Sequence, residues 1–172
     1  MADAEQIFTA VYEAHHRQVY AYAVARVGRD LADEVVADTF LVAWRRYGSL
    51  PRSEPLPWLL AVARNVVRER YRAEVRQQAV AAEMRAWIGD ATVVAADVAD
   101  GVTERAAVLA ALAKLSEDDR ELLTLVAWHG LKPAAAATVV GCSTATYFVR
   151  LHRARKRLED ALAALLPEES FR

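Results

Sequence analysis

Wherever apolar residues recur regularly in this 172-residue chain, they do so at steps of three and four, and no stretch shows the alternation of a strand. Phe8, Tyr12, His15, Val19, Ala23 and Val27 form one such stripe, and Gly28 ends it. Asp30 is placed to cap a second helix running to about Tyr47, with Val36, Phe40, Ala43 and Trp44 as its apolar members. The segment GSLPRSEPLP, with three prolines and a glycine, is a loop. Pro57 then falls in the first turn of a third helix, WLLAVARNVVRERYR, apolar at Leu60, Ala63, Val67 and Tyr71 and basic elsewhere. From Ala73 to Thr103 periodicity weakens, and IGDATVVAADVADGVT reads as a linker. The stripe returns at Val108, Leu109, Leu112 and Leu115. Ser116 with Asp119 forms a capping box for a helix carrying Leu122, Leu123 and Val126. Gly130 closes that helix, Pro133 opens a short alanine-rich one, Gly141 ends it, and Ser143 caps a long final helix to about Leu165. The expected fold is all-α: two small helical bundles, 1–72 and 105–172, joined by a flexible linker over 73–104, the second bundle containing a helix-turn-helix.

Composition narrows the chemistry. Hydrophobic residues make up 55% and charged ones 26%, which suits a packed soluble protein. A lone Cys142 excludes an internal disulfide framework and a Cys-rich zinc site. His15, His16, His129 and His152 lack a metal-ligand spacing such as H-E-x-x-H, and Cys142 sits in a turn with no base beside it. The expectation is therefore no catalytic residues, no metal and no cofactor. No run approaches the roughly 18 apolar residues of a membrane span, and MADAEQ opens acidic with no apolar segment after it. A cytoplasmic protein without membrane insertion is expected.

A net charge of −1 conceals segregation. Arg150, Arg153, Arg155, Lys156 and Arg157 follow Ser143 without an acid among them, and Arg64, Arg68, Arg70, Arg72 and Arg76 outnumber Glu69 and Glu74. Acids gather at Asp30, Asp33, Glu34 and Asp38, and again at Asp90, Asp97, Asp100 and Glu104. Separate patches of opposite sign imply separate partners. Pro133–Val140, the turn Gly141–Cys142 and the Arg-rich helix from Ser143 have the form of a helix-turn-helix. With Tyr147, Leu151, Ala154 and Leu158 facing the core, Thr144, Ala145, Phe148 and Val149 point outward where a recognition helix meets base edges. Arg150, Arg153 and Arg157 are then within reach of phosphates. The other reading of the basic run is a solvated face whose cations relieve the helix dipole.

These residues resemble a known family. LSEDDRELLTLVAWHGLKPAAAATVVGCSTATYFVRLHRARKRL is similar to the promoter-binding domain of bacterial sigma factors, and RLHRARKRL resembles the extracytoplasmic-function (ECF) group of the sigma-70 family in particular. ADEVVADTFLVAWRRY resembles that group's polymerase-binding helix, and PWLLAVARNVVRERYR its promoter-melting helix. The resemblance implies a factor that brings core RNA polymerase to promoter DNA and has no catalytic centre of its own. It implies polymerase contacts at Asp33, Glu34, Asp38, Phe40 and Trp44. Glu34 and Asp38 lie one turn apart and face a partner together; Phe40 and Trp44 are either interface aromatics or core. It implies minus-ten contacts at Arg64, Asn65, Arg68 and Arg72, and a base pocket in the loop 48–57 with Arg52 and Ser53, a loop that equally reads as a plain connector. Trp58 is core or a stacking platform. It implies minus-thirty-five contacts at Ser143, Thr144, Ala145, Thr146, Phe148, Arg150, Arg153 and Arg157.

The linker passes a length test: elements about 17 base pairs apart lie roughly 60 Å apart along the duplex, and about 30 residues extend to about 100 Å. Three departures bear on specificity. Ala37 stands where relatives commonly carry Gln, PAAAATVV replaces a helix with a Glu and larger aliphatics and so implies looser packing, and Phe148 stands where relatives often carry Lys or Arg. An exposed Phe148 suits a thymine methyl or a protein partner. The resemblance also admits an anti-sigma protein as partner, and nucleoid association when active. The alternative function is a conventional dimeric helix-turn-helix regulator, which accounts for 105–165 and leaves the N-terminal half unexplained.

Overall fold

The computed structural model describes residues 2–86 and 104–165, with side chains from 4 to 72 and from 107 to 165. Among the described residues the chain is helical throughout: α1 (Ala2–Val27), α2 (Arg29–Arg45), a 3-10 turn (Tyr47–Ser49), α3 (Pro55–Ala86), α4 (Glu104–Lys114), α5 (Glu117–Ala127), α6 (Pro133–Val140) and α7 (Thr144–Ala163).

Local chemistry sets the boundaries. Gly28 takes φ 78°, a conformation L side chains rarely adopt, and breaks the chain between α1 and α2. It is also the residue preceding α2, so Asp30 lies inside the first turn and makes no side-chain cap; there its carboxylate still complements the helix dipole. Ser116 accepts from the Asp119 N–H, and Ser143 from the Thr146 N–H, as the two caps require. Gly141 ends α6 in the left-handed conformation. Helix α3 continues to Ala86, well past residue 72, so the first part of the stretch expected as linker is helical. The remainder, 87–103, lies outside the described residues.

Helices α1–α3 pack as one bundle around Val19, Ala23, Val35, Val36, Phe40, Leu59, Leu60 and Ala63. Helices α4–α7 form the other around Leu122, Leu125, Tyr147, Leu151 and Ala154. Each fully buried Leu contributes about 1.5–3 kcal/mol from its removal from water. The two bundles also touch: α3 lies against α6, and one continuous set of buried residues runs through both. Helix α6 is where looser packing was expected. Its Ala136 and Ala137 are instead buried, and small side chains let two helix backbones approach closely.

Candidate nucleic-acid interface and acidic docking face

Helix α7 is fixed by Tyr147, whose hydroxyl donates to the Leu122 carbonyl at 2.7 Å. Burial, with Cys142 and Glu121 adding negative charge nearby, pushes this phenol up to about 12, so it stays a neutral donor. With Tyr147, Leu151 and Ala154 inward, Ser143, Thr144, Ala145, Thr146, Phe148 and Val149 are exposed at the N-terminal end. Phe148 is 53% exposed, which is high for a phenyl ring and sets it apart from the core.

The three α7 arginines expected to meet phosphates differ. Arg153 is exposed and has no ion-pair partner among the described residues. Arg150 lies 3.8 Å from Asp118, and Arg157 donates to both carboxylate oxygens of Asp119 at 2.9 and 3.0 Å.

On α3, Asn65, Arg68 and Arg72 are exposed, whereas Arg64 is 5% exposed. Its Nε donates to both oxygens of Glu121 on α5, at 3.0 and 2.9 Å. The Tyr22 hydroxyl donates to the same carboxylate, and burial followed by that negative charge holds the phenol well above its ordinary value. Arg52 and Ser53 are exposed in the loop before α3, whose ends are pinned by buried Leu50 and Leu56. Trp58 is half-buried against the core.

On α2, Asp33 and Glu34 are exposed and Asp38 is half-buried. Arg70 of α3 bonds both Glu34 and Asp38, and these bonds, Asp38 first, raise the guanidinium still further above its ordinary range. Phe40 packs inward, with its ring 4.7 Å from Tyr12, whereas Trp44 is 46% exposed and meets Phe8 edge-on at 5.0 Å. The exposed aromatic of the acidic helix is thus Trp44.

Sequence reasoning missed the partners Glu121, Asp118, Asp119 and Arg70. Within SEDDRE only the Ser116–Asp119 cap is a local signal, and nothing local marks a contact with α3 or α7. Among the described residues no group of His, Cys, Asp and Glu could hold a metal ion, and no single helix is long and apolar enough to cross a membrane.

Residues 11–77 match the Sigma-70 region 2 family model, and residues 105–158 match Sigma-70, region 4. The chain is 31% identical to RNA polymerase sigma factor CnrH of Cupriavidus metallidurans, over 94% of this chain and 96% of CnrH. It is 33% identical to the ECF RNA polymerase sigma factor EcfG of Rhodopseudomonas palustris, over 83% of this chain and 77% of EcfG. This chain belongs to the ECF group of the sigma-70 family. A longer relative, the probable sigma factor RfaY of Xanthomonas campestris, is 30% identical, and the chain spans 42% of its length. The solved sigma factor RpoE of Bartonella quintana, in complex with the anti-sigma factor NepR, has a TM-score of 0.64 at 25% identity, with 90% of this chain and 96% of that one covered. CnrH in complex with the cytosolic domain of CnrY gives 0.63 at 25% identity, covering 94% and 95%. In this sigma factor the two matched segments are the two bundles, and the stretch between them includes 87–103.

Proposed function

We propose that this sigma factor binds core RNA polymerase through the acidic face of α2, opens the minus-ten element with α3 and the loop before it, and reads the minus-thirty-five element with α6–α7. It acts by recruitment and not by catalysis, in the cytoplasm and on the nucleoid when active. The observation that carries this reading is the presence of both family segments on one chain in order, with the N-terminal end of α7 exposed. A dimeric regulator needs only the second segment.

Asp33, Glu34, Asp38 and Trp44 supply acids and an aromatic for a basic partner, with Phe40 supporting them from beneath. Asn65, Arg68 and Arg72 offer an amide and cations to a separated strand, and Arg52 and Ser53 supply polar groups to a swung-out base. On α7, Ser143, Thr144, Ala145, Thr146 and Phe148 face base edges, while Arg150, Arg153 and Arg157 face phosphates. An anti-sigma protein covering these faces is a further expected partner, since RpoE was solved with an anti-sigma factor and CnrH with the cytosolic domain of CnrY.

Transcription with purified core polymerase on a library of promoter fragments tests the proposal. Transcripts from a subset sharing two spaced elements are expected. Absence of any transcript, combined with tight binding of the free protein to a palindrome, would instead establish the dimeric regulator. Within the same assay Phe148→Ala should change the preference at one minus-thirty-five position by about 1–3 kcal/mol, the scale of one base contact, and leave other positions alone. A uniform loss across templates would show that Phe148 does not read a base.

A further inference from the structure

The outward face of α7 is apolar near its start and basic along one flank. Phe148 is 53% exposed and Val149 51%, two large apolar side chains next to each other on a helix whose buried face is Tyr147, Leu151 and Ala154. At about 100° per residue, Val149 lies opposite that buried face, in line with Ala145 before it and His152 after it, and Phe148 stands beside them. Arg150, Arg153 and Arg157 recur at steps of three and four and share the other flank. Polar groups at the start of the helix are few and partly committed. The Ser143 and Thr146 hydroxyls bond each other at 2.8 Å, and Ser143 also accepts the Thr146 N–H at 3.1 Å, so the cap uses both. Between Thr144 and Val149 there is no Arg, Lys, Asn or Gln, the side chains that pair bidentately with guanine or adenine.

In the major groove the one large apolar feature that any base presents is the C5-methyl of thymine. Cytosine offers an amino donor, and the purines offer acceptors and amino groups. A stripe of Ala145, Phe148 and Val149 therefore finds a matching surface only in thymine. Against any other base the same side chains would cover polar edges without replacing the hydrogen bonds those edges make to water. Consecutive Cα atoms are about 3.8 Å apart and base pairs rise about 3.4 Å, so Phe148 and Val149 reach neighbouring pairs. Ala145, one turn before Val149, is small enough for the helix to seat close to the bases. The flanking arginines fit the same placement: with the apolar stripe toward the groove floor, Arg150, Arg153 and Arg157 lie toward one phosphate backbone.

We propose that Phe148 and Val149 read thymine methyl groups on two neighbouring base pairs of the minus-thirty-five element, so that this sigma factor selects promoters at that point by methyl contact and not by bidentate hydrogen bonding. The inference rests on the proposed role of α7 in reading duplex DNA. It adds Val149 to the residues of that face and names the chemical group that is read. Burying one methyl group is equivalent to about fourfold in affinity, and two such contacts together to about tenfold.

Deoxyuridine tests this directly, because putting it in place of thymidine removes the methyl group and leaves base pairing and every hydrogen-bonding edge unchanged. Holoenzyme assembled from this chain and core polymerase is titrated against a preferred promoter from the library, with the thymines of the upstream element replaced singly and then in pairs. Two neighbouring positions should each lose about fourfold and both together about tenfold, against less than about 1.5-fold for thymines in the spacer. Phe148→Ala holoenzyme should bind more weakly and become indifferent to the methyl at one of these positions, and Val149→Ala at the other. Both side chains are exposed, so the fold is kept, and the deoxyuridine series on the unaltered protein stands without the variants. Preferred upstream elements lacking two neighbouring T·A pairs, full binding to the doubly replaced promoter, or methyl losses undiminished in both variants would overturn the proposal. So would a Phe148→Ala chain that loses affinity for core polymerase while keeping its methyl response, since Phe148 would then serve a protein partner. Initiation with no methyl response ends this inference alone, whereas no initiation at any promoter ends the proposed function as well.

Discussion

Glu34→Arg combined with Asp38→Arg is expected to lower affinity for core RNA polymerase about 100-fold, with helical content unchanged. Juxtaposing like charges at an interface costs several kcal/mol, and two reversals on a half-exposed face place the loss near 3 kcal/mol, the equivalent of that factor. The fold tolerates the change because the Arg70 pairs lie on a half-exposed face, and exposed pairs contribute roughly 0.2–1 kcal/mol each. A titration of labelled sigma factor with core enzyme reads the affinity, and thermal melting followed by circular dichroism reads the fold. Arg70→Ala provides the sharper contrast. It removes the same two ion pairs yet leaves both carboxylates free for the partner, so polymerase affinity should hold or rise. If reversal of the acids leaves affinity unchanged, or Arg70→Ala weakens it as much as the reversal does, the polymerase does not dock on this face.

What the sequence discloses about this molecule divides by distance along the chain. Caps and terminators are local, so Ser116, Ser143, Gly28 and Gly141 are legible from three or four neighbours. The exposure of Phe148 follows from the stripe of Tyr147, Leu151 and Ala154 on the same helix, because one buried face fixes the others. Asp30 shows how narrow the local margin is. A residue suited to capping lies two positions past the N-cap because Gly28 breaks the chain first. Arg64 could not be read this way. Its place in a basic run describes a solvated or DNA-facing cation, yet its partner Glu121 lies 57 residues further on, across a segment with no periodicity to fix the relative placement of the bundles. The same holds for α6, whose alanines imply weak packing until α3 is seen against them. Arginine runs therefore disclose which surfaces are basic, and only tertiary structure discloses which of those charges are already answered from within the chain.

That distinction orders the arginines of α7. In the complex with core polymerase on a promoter duplex, Arg153→Ala is expected to weaken binding about tenfold near 0.1 M salt. It should also make the slope of log affinity against log salt shallower by about 0.9, the release of one phosphate's counterions. Arg150→Ala should act in the same manner, since its contact with Asp118 is a long one, at 3.8 Å on a side chain 34% exposed. Arg157→Ala should move the slope by less than half as much. Its guanidinium is committed to Asp119 through two bonds, and an arginine already neutralised displaces fewer counterions from DNA. Asp119 has 13% side-chain exposure, so loss of Arg157 leaves a poorly solvated carboxylate and should appear instead as a lower melting temperature. Binding measured at four or five salt concentrations on two unrelated promoters separates these effects, because a phosphate contact is lost equally on both templates. Equal slopes for Arg153→Ala and Arg157→Ala would mean that Asp119 releases its arginine to DNA, and a loss confined to one promoter would mean that the residue reads bases.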